Sequence, residues 1–319
     1  MTRKEKYPLR GVVVSLNTPF DECGQVDLAS IERCVDFHLR EGAVGFIAGA
    51  QASEVYTLKP SERMEILRCV RSATRGRAEL FASATSRENP ERHLVAEEAI
   101  RMGCNGVLVE VPEDLKGDEE SITAFFKEFA RIGMETLMIQ DLSWHGTGMS
   151  VPLIARLFEE IHPFRCLKVE TVPACPKYTA VLEATERRLH VSGGWASLQL
   201  LEALDRGVDV IMPTGMTGLF RRVFEAYARG ERDHARDLYH KLLPVLAFTQ
   251  QHLDLSVQFY KRFFHHRGIF ATTRVRAPRI LYDSFHERCA QELIEYLDRL
   301  DEWNPPAGPA HGVPSTAPA

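Results

Sequence analysis

The sequence predicts an α/β fold: a closed (β/α)8 barrel, a TIM barrel, followed by a C-terminal helical segment. Three observations predict it. Eight short apolar runs recur roughly 20 to 35 residues apart, the spacing of βα units. Longer amphipathic stretches separate them, as crossover helices do in a parallel sheet. No glycine-rich dinucleotide fingerprint follows any run, which disfavours an open doubly wound sheet; Gly193-Gly194 is only a doublet.

The expected strands cover residues 11–16, 45–48, 79–84, 106–111, 137–140, 166–169, 189–192 and 208–212. Helical periodicity falls between them at 28–41, 60–74, 90–102, 121–132 and 151–161. Gly42 and Gly103 stand just beyond the first and third of these helices, where a C-terminal glycine belongs. Lys59-Pro60-Ser61-Glu62 and Glu88-Asn89-Pro90-Glu91 read as helix starts with proline in the first turn. Beyond the eighth strand, 220–229, 234–248, 256–267 and 286–300 read as extra helices. The expected division is a barrel over 1–219, a helical segment over 220–303 packed on it, and a disordered Pro- and Ala-rich tail over 304–319.

Composition narrows the function. A chain of 319 residues, 45% hydrophobic, can bury a full core. A net charge of −5 without a dominant basic patch disfavours nucleic acid as a partner. The apolar runs are too short to span a bilayer, so no membrane association is expected. Met1 to Lys6 leads into no apolar run, so no signal peptide is expected and the location is read as cytoplasmic. Seven cysteines, scattered and odd in number, suit reduced thiols without disulfides.

The most informative residue is Lys168, in the apolar run Arg165-Cys166-Leu167-Lys168-Val169-Glu170. A buried ammonium is costly unless it is paired or loses its proton. A desolvated lysine is a nucleophile able to condense with a carbonyl as a Schiff base. A lysine at an edge strand with its head in water is the bland alternative. In a barrel the site lies at the C-terminal strand ends, which selects a short list of further groups. Gly49-Ala50-Gln51-Ala52-Ser53-Glu54 follows the second strand, a small-residue loop whose backbone N–H groups suit a carboxylate. Glu110 ends the fourth strand, Gln140-Asp141 the fifth, and Glu170 lies two residues after Lys168, on the same face. Thr214-Gly215-Met216-Thr217-Gly218 after the eighth strand reads as a tight loop, with no phosphorylated substrate expected.

Several ordered motifs resemble a known family. Asn17-Thr18-Pro19-Phe20 with Gly24-Gln25-Val26-Asp27, Glu54-Val55-Tyr56-Thr57-Leu58 with Glu62-Arg63, Gly103-Cys104-Asn105-Gly106-Val107, and Leu167-Lys168-Val169-Glu170 resemble the N-acetylneuraminate lyase and dihydrodipicolinate synthase superfamily of class I pyruvate-type aldolases. The resemblance runs from about residue 11 to 300. It implies that Lys168 forms the imine with a 2-oxo acid, that Gln51 and Ala52 hold the substrate carboxylate, and that Ser192-Gly193 and Met212-Pro213 line the site. It also implies a homotetramer, a dimer of dimers. The chain departs from the family pattern where tyrosines relay protons. Ile139 falls at the tyrosine position of the fifth strand, Pro112-Glu113-Asp114 replaces the second tyrosine motif, and Gly146 replaces the arginine before Thr147-Gly148. Dihydrodipicolinate synthase activity itself is therefore not expected.

Proton transfer must come from other groups, and Asp141, Glu110, Glu170 and His145 are the candidates. The resulting expectation is a lyase, aldolase or dehydratase, acting on a 2-oxo acid, with Lys168, Asp141 and Glu170 catalytic. Gln51, Ala52, Ser53, Gln140, His145, Gly193 and Met212 are expected to bind substrate, with Gln51, Trp144, His145, Trp195 and the C-terminal helices shaping the distal pocket. No cofactor or metal is expected. Two alternatives stay open: an impaired relative that senses a 2-oxo acid, and a Mg2+ enzyme holding the ion through Glu110, Asp141 and Glu170.

Overall fold

Eight parallel strands close into a barrel in sequence order in the computed structural model, which describes residues 4–194 and 198–303. They are β1 (Gly11–Ser15), β2 (Gly45–Ala48), β3 (Glu79–Ser83), β4 (Gly106–Glu110), β5 (Leu137–Leu142), β6 (Phe164–Glu170), β7 (His190–Gly193) and β8 (Val210–Ile211). Between successive strands run α1 (Leu28–Arg40), α2 (Pro60–Thr74), α3 (Asn89–Arg101), α4 (Glu119–Phe129), α5 (Val151–Glu160), α6 (Cys175–Ala184) and α7 (Leu200–Arg206). After β8 come α8 (Thr217–Ala228), α9 (Arg232–Thr249), α10 (Leu253–His266) and α11 (Ser284–Trp303).

The helix starts have local causes. Asp27 accepts the backbone N–H of Ser30 at 3.0 Å to begin α1, and Ser150 accepts that of Leu153 at 3.2 Å to begin α5. Pro60 and Pro90 occupy first-turn positions, where a missing N–H costs nothing.

Strand alternation then builds the interior. Val13, Ile47, Phe81, Leu108, Met138, Cys166 and Val210 form one buried apolar cluster inside the barrel, with Leu9 and Tyr7 packed against it. Burying each of the larger side chains contributes roughly 1.5–3 kcal/mol. Two residues further along β1, β3, β4, β5 and β6, the same inward face carries Ser15, Ser83, Glu110, Gln140 and Lys168. The barrel is thus apolar in its middle and polar at its C-terminal mouth, the division that places a site there.

The chain divides into two compact units after Leu281. The first holds the barrel with α8, α9 and α10. The division expected at 219/220 cuts through α8, which follows β8 and packs on β1 as the eighth crossover helix does. The second unit contains α11, begun by Asp283, whose carboxylate accepts the N–H groups of Phe285 and His286. The tail call at 304–319 and Trp195 lie outside the described residues. Among the described residues no helix is long and apolar enough to cross a membrane.

Candidate active site

Lys168 sits in the middle of the barrel mouth, and only 3% of its surface is exposed. Its register neighbours are Gln140 on β5 and Ser192 on β7. The amine lies 3.4 Å from Glu170 Oε1. The two residues are two apart on one strand, so the pleat alone puts them on one face. Glu170 Oε2 in turn accepts a hydrogen bond from Gln140 Nε2. That bond fixes the orientation of the Gln140 amide, because only the NH2 can donate to a carboxylate. The Gln140 carbonyl Oε1 then points elsewhere, buried and, among the described residues, without a hydrogen-bond partner. A buried amide oxygen facing a cavity can accept a hydrogen bond from a donor on a bound ligand.

These groups line a cavity of about 100 Å3. Gln51, Ala52, Gln140, Lys168, Glu170 and Met212 share it, so six of the expected site residues are brought together. Ser15, Thr214 and Gly194 complete the barrel side of its wall. Gly194 is there for a steric reason: a Cβ at this position would stand 1.7 Å from Glu170 Oε1. Glycine lets the backbone pass against the carboxyl.

The remaining expected residues are elsewhere. Asp141 follows Gln140 on β5 and faces the opposite side, away from the cavity. It is buried and ion-paired with Lys177 of α6, and it accepts the Met149 N–H at 2.9 Å. Burial raises its pKa, while Lys177 and the Met149 amide oppose that rise. Lys177 also donates to the carbonyl of Thr147 and, at 2.6 Å, to that of Met149. Asp141 is therefore a clamp for the loop over 143–150, not a group of the cavity. Ser53 also turns away, its hydroxyl donating to the Leu16 carbonyl at 2.5 Å. Gly193 pairs with Val169 and accepts the Met212 N–H at 3.2 Å; its neighbour Gly194 reaches the cavity instead. His145 is exposed and lines a separate apolar chamber of about 820 Å3.

Two further expectations change. Gln140 faces Lys168 across the β5–β6 pair, and Ile139 points outward, so Gln140 occupies the place assigned from sequence to Ile139. The Mg2+ arrangement loses its geometry with Asp141 on the far face. Among the described residues no group of three or more His, Cys, Asp or Glu is placed to hold a metal ion.

Several cavity residues come from the C-terminal helices, which the sequence placed near the distal pocket without naming the residues. Leu253, Ser256 and Tyr260 of α10 close the cavity from above, with Thr249 and Gln250 from the end of α9. Tyr260 is buried, its hydroxyl bonds Thr249, and burial raises its pKa. A Cβ on Gly215 would meet its ring at 2.6 Å. No local signal marks these positions, since they reach Lys168 only through the tertiary fold. Trp144 and Leu253 border the cavity and both larger chambers beside it.

The model of the dihydrodipicolinate synthetase family matches residues 8–296. The chain is 25% identical over 308 residues to an L-2-keto-3-deoxyarabonate dehydratase of Azospirillum brasilense, covering 94% of this chain and 97% of that one. It is 26% identical over 291 residues to a 4-hydroxy-tetrahydrodipicolinate synthase 2 of Halalkalibacterium halodurans, covering 90% and 97%. Its structure superposes on a dihydrodipicolinate synthase from Rhodopseudomonas palustris with a TM-score of 0.84 at 20% identity, covering 92% and 99%.

Proposed function

The chain belongs to the dihydrodipicolinate synthetase family, and from that premise we propose that it is a lyase acting on a 2-oxo acid through an imine at Lys168. One observation carries the reading: a buried lysine on the sixth strand, 3.4 Å from a carboxylate, in a small cavity at the barrel mouth. The amine attacks the C2 carbonyl, and the carbinolamine loses water to give the iminium, an electron sink for bond cleavage further along the chain. The amine must shed a proton to attack, and Glu170 is the acceptor within reach. The same carboxyl can return a proton to the departing hydroxide and later take one from C3. Gln140 holds Glu170 on one side, and its free Oε1 accepts a donor on the bound intermediate. Gln51 and Ala52, at the start of the turn Gln51–Ser53, are the groups assigned to the substrate carboxylate.

Dehydration is the favoured branch. One full-length relative is a dehydratase of a 2-keto-3-deoxy sugar acid, and no tyrosine stands beside Lys168 on β5 to repeat a synthase relay. A cytoplasmic homotetramer belongs to the same reading, and light scattering on the purified protein tests the assembly.

Borohydride trapping tests the chemistry. Wild-type protein incubated with pyruvate and borohydride should gain the mass of the reduced adduct, and Lys168→Ala should gain nothing. No adduct with any 2-oxo acid would sink the reading. Adducts without turnover across a panel of 2-oxo acids would favour a sensor.

A further inference from the structure

The turn assigned to the substrate carboxylate is held by a buried charge network that takes no part in the imine chemistry. Among the described residues the N–H groups of Gln51 and Ala52 make no hydrogen bond to backbone, which leaves both to an anion. The rest of the turn is tied down. Asn17 Nδ2 donates to the Ala52 carbonyl at 2.6 Å, and Thr18 Oγ1 donates to that of Ser53 at 2.9 Å. The Glu54 N–H closes the turn on the Gln51 carbonyl at 3.0 Å. Glu54 does so from the left-handed region, at φ 55°, which is unfavourable for a residue carrying a Cβ.

The Glu54 carboxylate is held from two sides. Lys261 of α10 forms an ion pair with Oε1, and the Arg276 backbone N–H donates to Oε2 at 2.7 Å. Lys261 is fully buried and also donates to the Arg274 carbonyl at 2.7 Å. Arg276 grips Glu62 at the start of α2 through two bonds of 2.7 and 2.9 Å. The Lys261 amine and the Arg276 guanidinium each lie 4.2 Å from the centre of the buried Phe20 ring, in the loop after β1 that carries Asn17 and Thr18. The loop after β1, the turn after β2 and α10 with the segment behind it therefore meet on one pair of charges. The same helix carries Ser256 and Tyr260 to the roof of the Lys168 cavity. A buried ion pair is weak ground for stability, because well-packed apolar side chains hold a fold as well. What this one adds is a fixed separation between turn and roof. Burial raises the Glu54 pKa, and Lys261 is the main opposition to that rise. Without the amine, the carboxyl would shift or take up a proton, and the link that closes the turn would loosen.

We propose that Lys261, which lines no wall of the Lys168 cavity, is a positioning residue that sets the affinity for the substrate carboxylate by holding Glu54 and the turn Gln51–Ser53. It rests on the imine reading for the assignment of that turn to the carboxylate.

The test uses two probes, pyruvate and pyruvamide, which share the carbonyl and differ in the carboxylate. Half-saturating concentrations for borohydride trapping are read by intact mass. Lys261→Met should raise that of pyruvate about tenfold or more, the scale of a small misplacement of a binding group, and leave that of pyruvamide within about twofold. Glu54→Gln keeps an acceptor for the Arg276 N–H and carries the test if Lys261→Met does not fold; it should show the same selective loss at about threefold or more. Equal changes for both probes, or no change for pyruvate, would overturn the proposal, since a pair that serves stability alone lowers the melting temperature without telling the probes apart. Calorimetric binding of both probes to Lys168→Ala, alone and with Lys261→Met, separates the two claims. A preference for pyruvate in Lys168→Ala that Lys261→Met abolishes supports the positioning role even if trapping fails. A preference that persists, or none to begin with, removes the role whatever the trapping shows.

Discussion

Glu170 and Asp141 show how much one residue of register decides. Both are acids at strand ends, and both looked able to move protons. The pleat sends Glu170 inward beside Lys168 and Asp141 outward to Lys177. Glu170→Gln keeps the shape but removes the base, so kcat should fall by about 10^2- to 10^4-fold; a change within threefold would remove Glu170 from the chemistry. Gly194→Ala reaches the same group indirectly. A methyl 1.7 Å from Glu170 Oε1 must push the carboxyl aside. Turnover should drop at least tenfold while the far-ultraviolet circular dichroism stays that of wild type. Full activity in Gly194→Ala would mean that the carboxyl position is not critical.

At the scale of elements, the loop between β5 and α5 depends on α6. Lys177 crosses from α6 to bond Asp141 and two loop carbonyls, and Gly148 packs so closely that a Cβ would lie 2.2 Å from Asp141 Oδ1. That clamp presents Trp144 at the junction of the three cavities. Removing one member of a buried pair strands the other charge, a loss of about 3–5 kcal/mol. Asp141→Ala should therefore lower stability to urea by that amount, and adding Lys177→Met should recover much of it. An Asp141→Ala variant as stable as wild type would show that the pair contributes nothing to the fold. Helix α10 makes the complementary point. Its Lys261 is fully buried, paired with Glu54, 2.7 Å from the Arg274 carbonyl and 4.2 Å above the Phe20 ring. Burial lowers its pKa to about 8 against the pull of Glu54. This pairing ties the helix that roofs the Lys168 cavity to the loop after β2 that supplies Gln51 and Ala52.

Over the whole molecule, acid sensitivity follows from buried histidines. His38 on α1 is fully buried, bonded through Nδ1 to Thr217 at 2.8 Å, and burial lowers its pKa from 6.5 to about 3. Burial lowers that of His190 as well. The folded ring stays neutral where the unfolded chain takes up a proton. The contribution is complete above pH 6.5 and is lost as pH falls toward the lowered value, by up to about 1.4 kcal/mol per pH unit per histidine. Melting temperature should thus fall more steeply between pH 6.5 and 4 in wild type than in His38→Asn. Parallel pH profiles would refute the assignment.

The sequence by itself determined the barrel, the place of Lys168 on its sixth strand, and that Glu170 shares its face. These rest on local periodicities: the spacing of βα units and the two-residue repeat of a strand. It could not decide which fifth-strand residue faces the lysine, because a one-residue offset in register reverses every side chain. Gln140 therefore took the place assigned to Ile139, and Asp141 left the site. Nor could it find Tyr260, Leu253 or the Glu54–Lys261 pair, whose members are distant in the chain and meet only when the barrel closes and α10 folds over its mouth. Strand chemistry is written locally, whereas the roof and walls of the cavity are set by long-range packing.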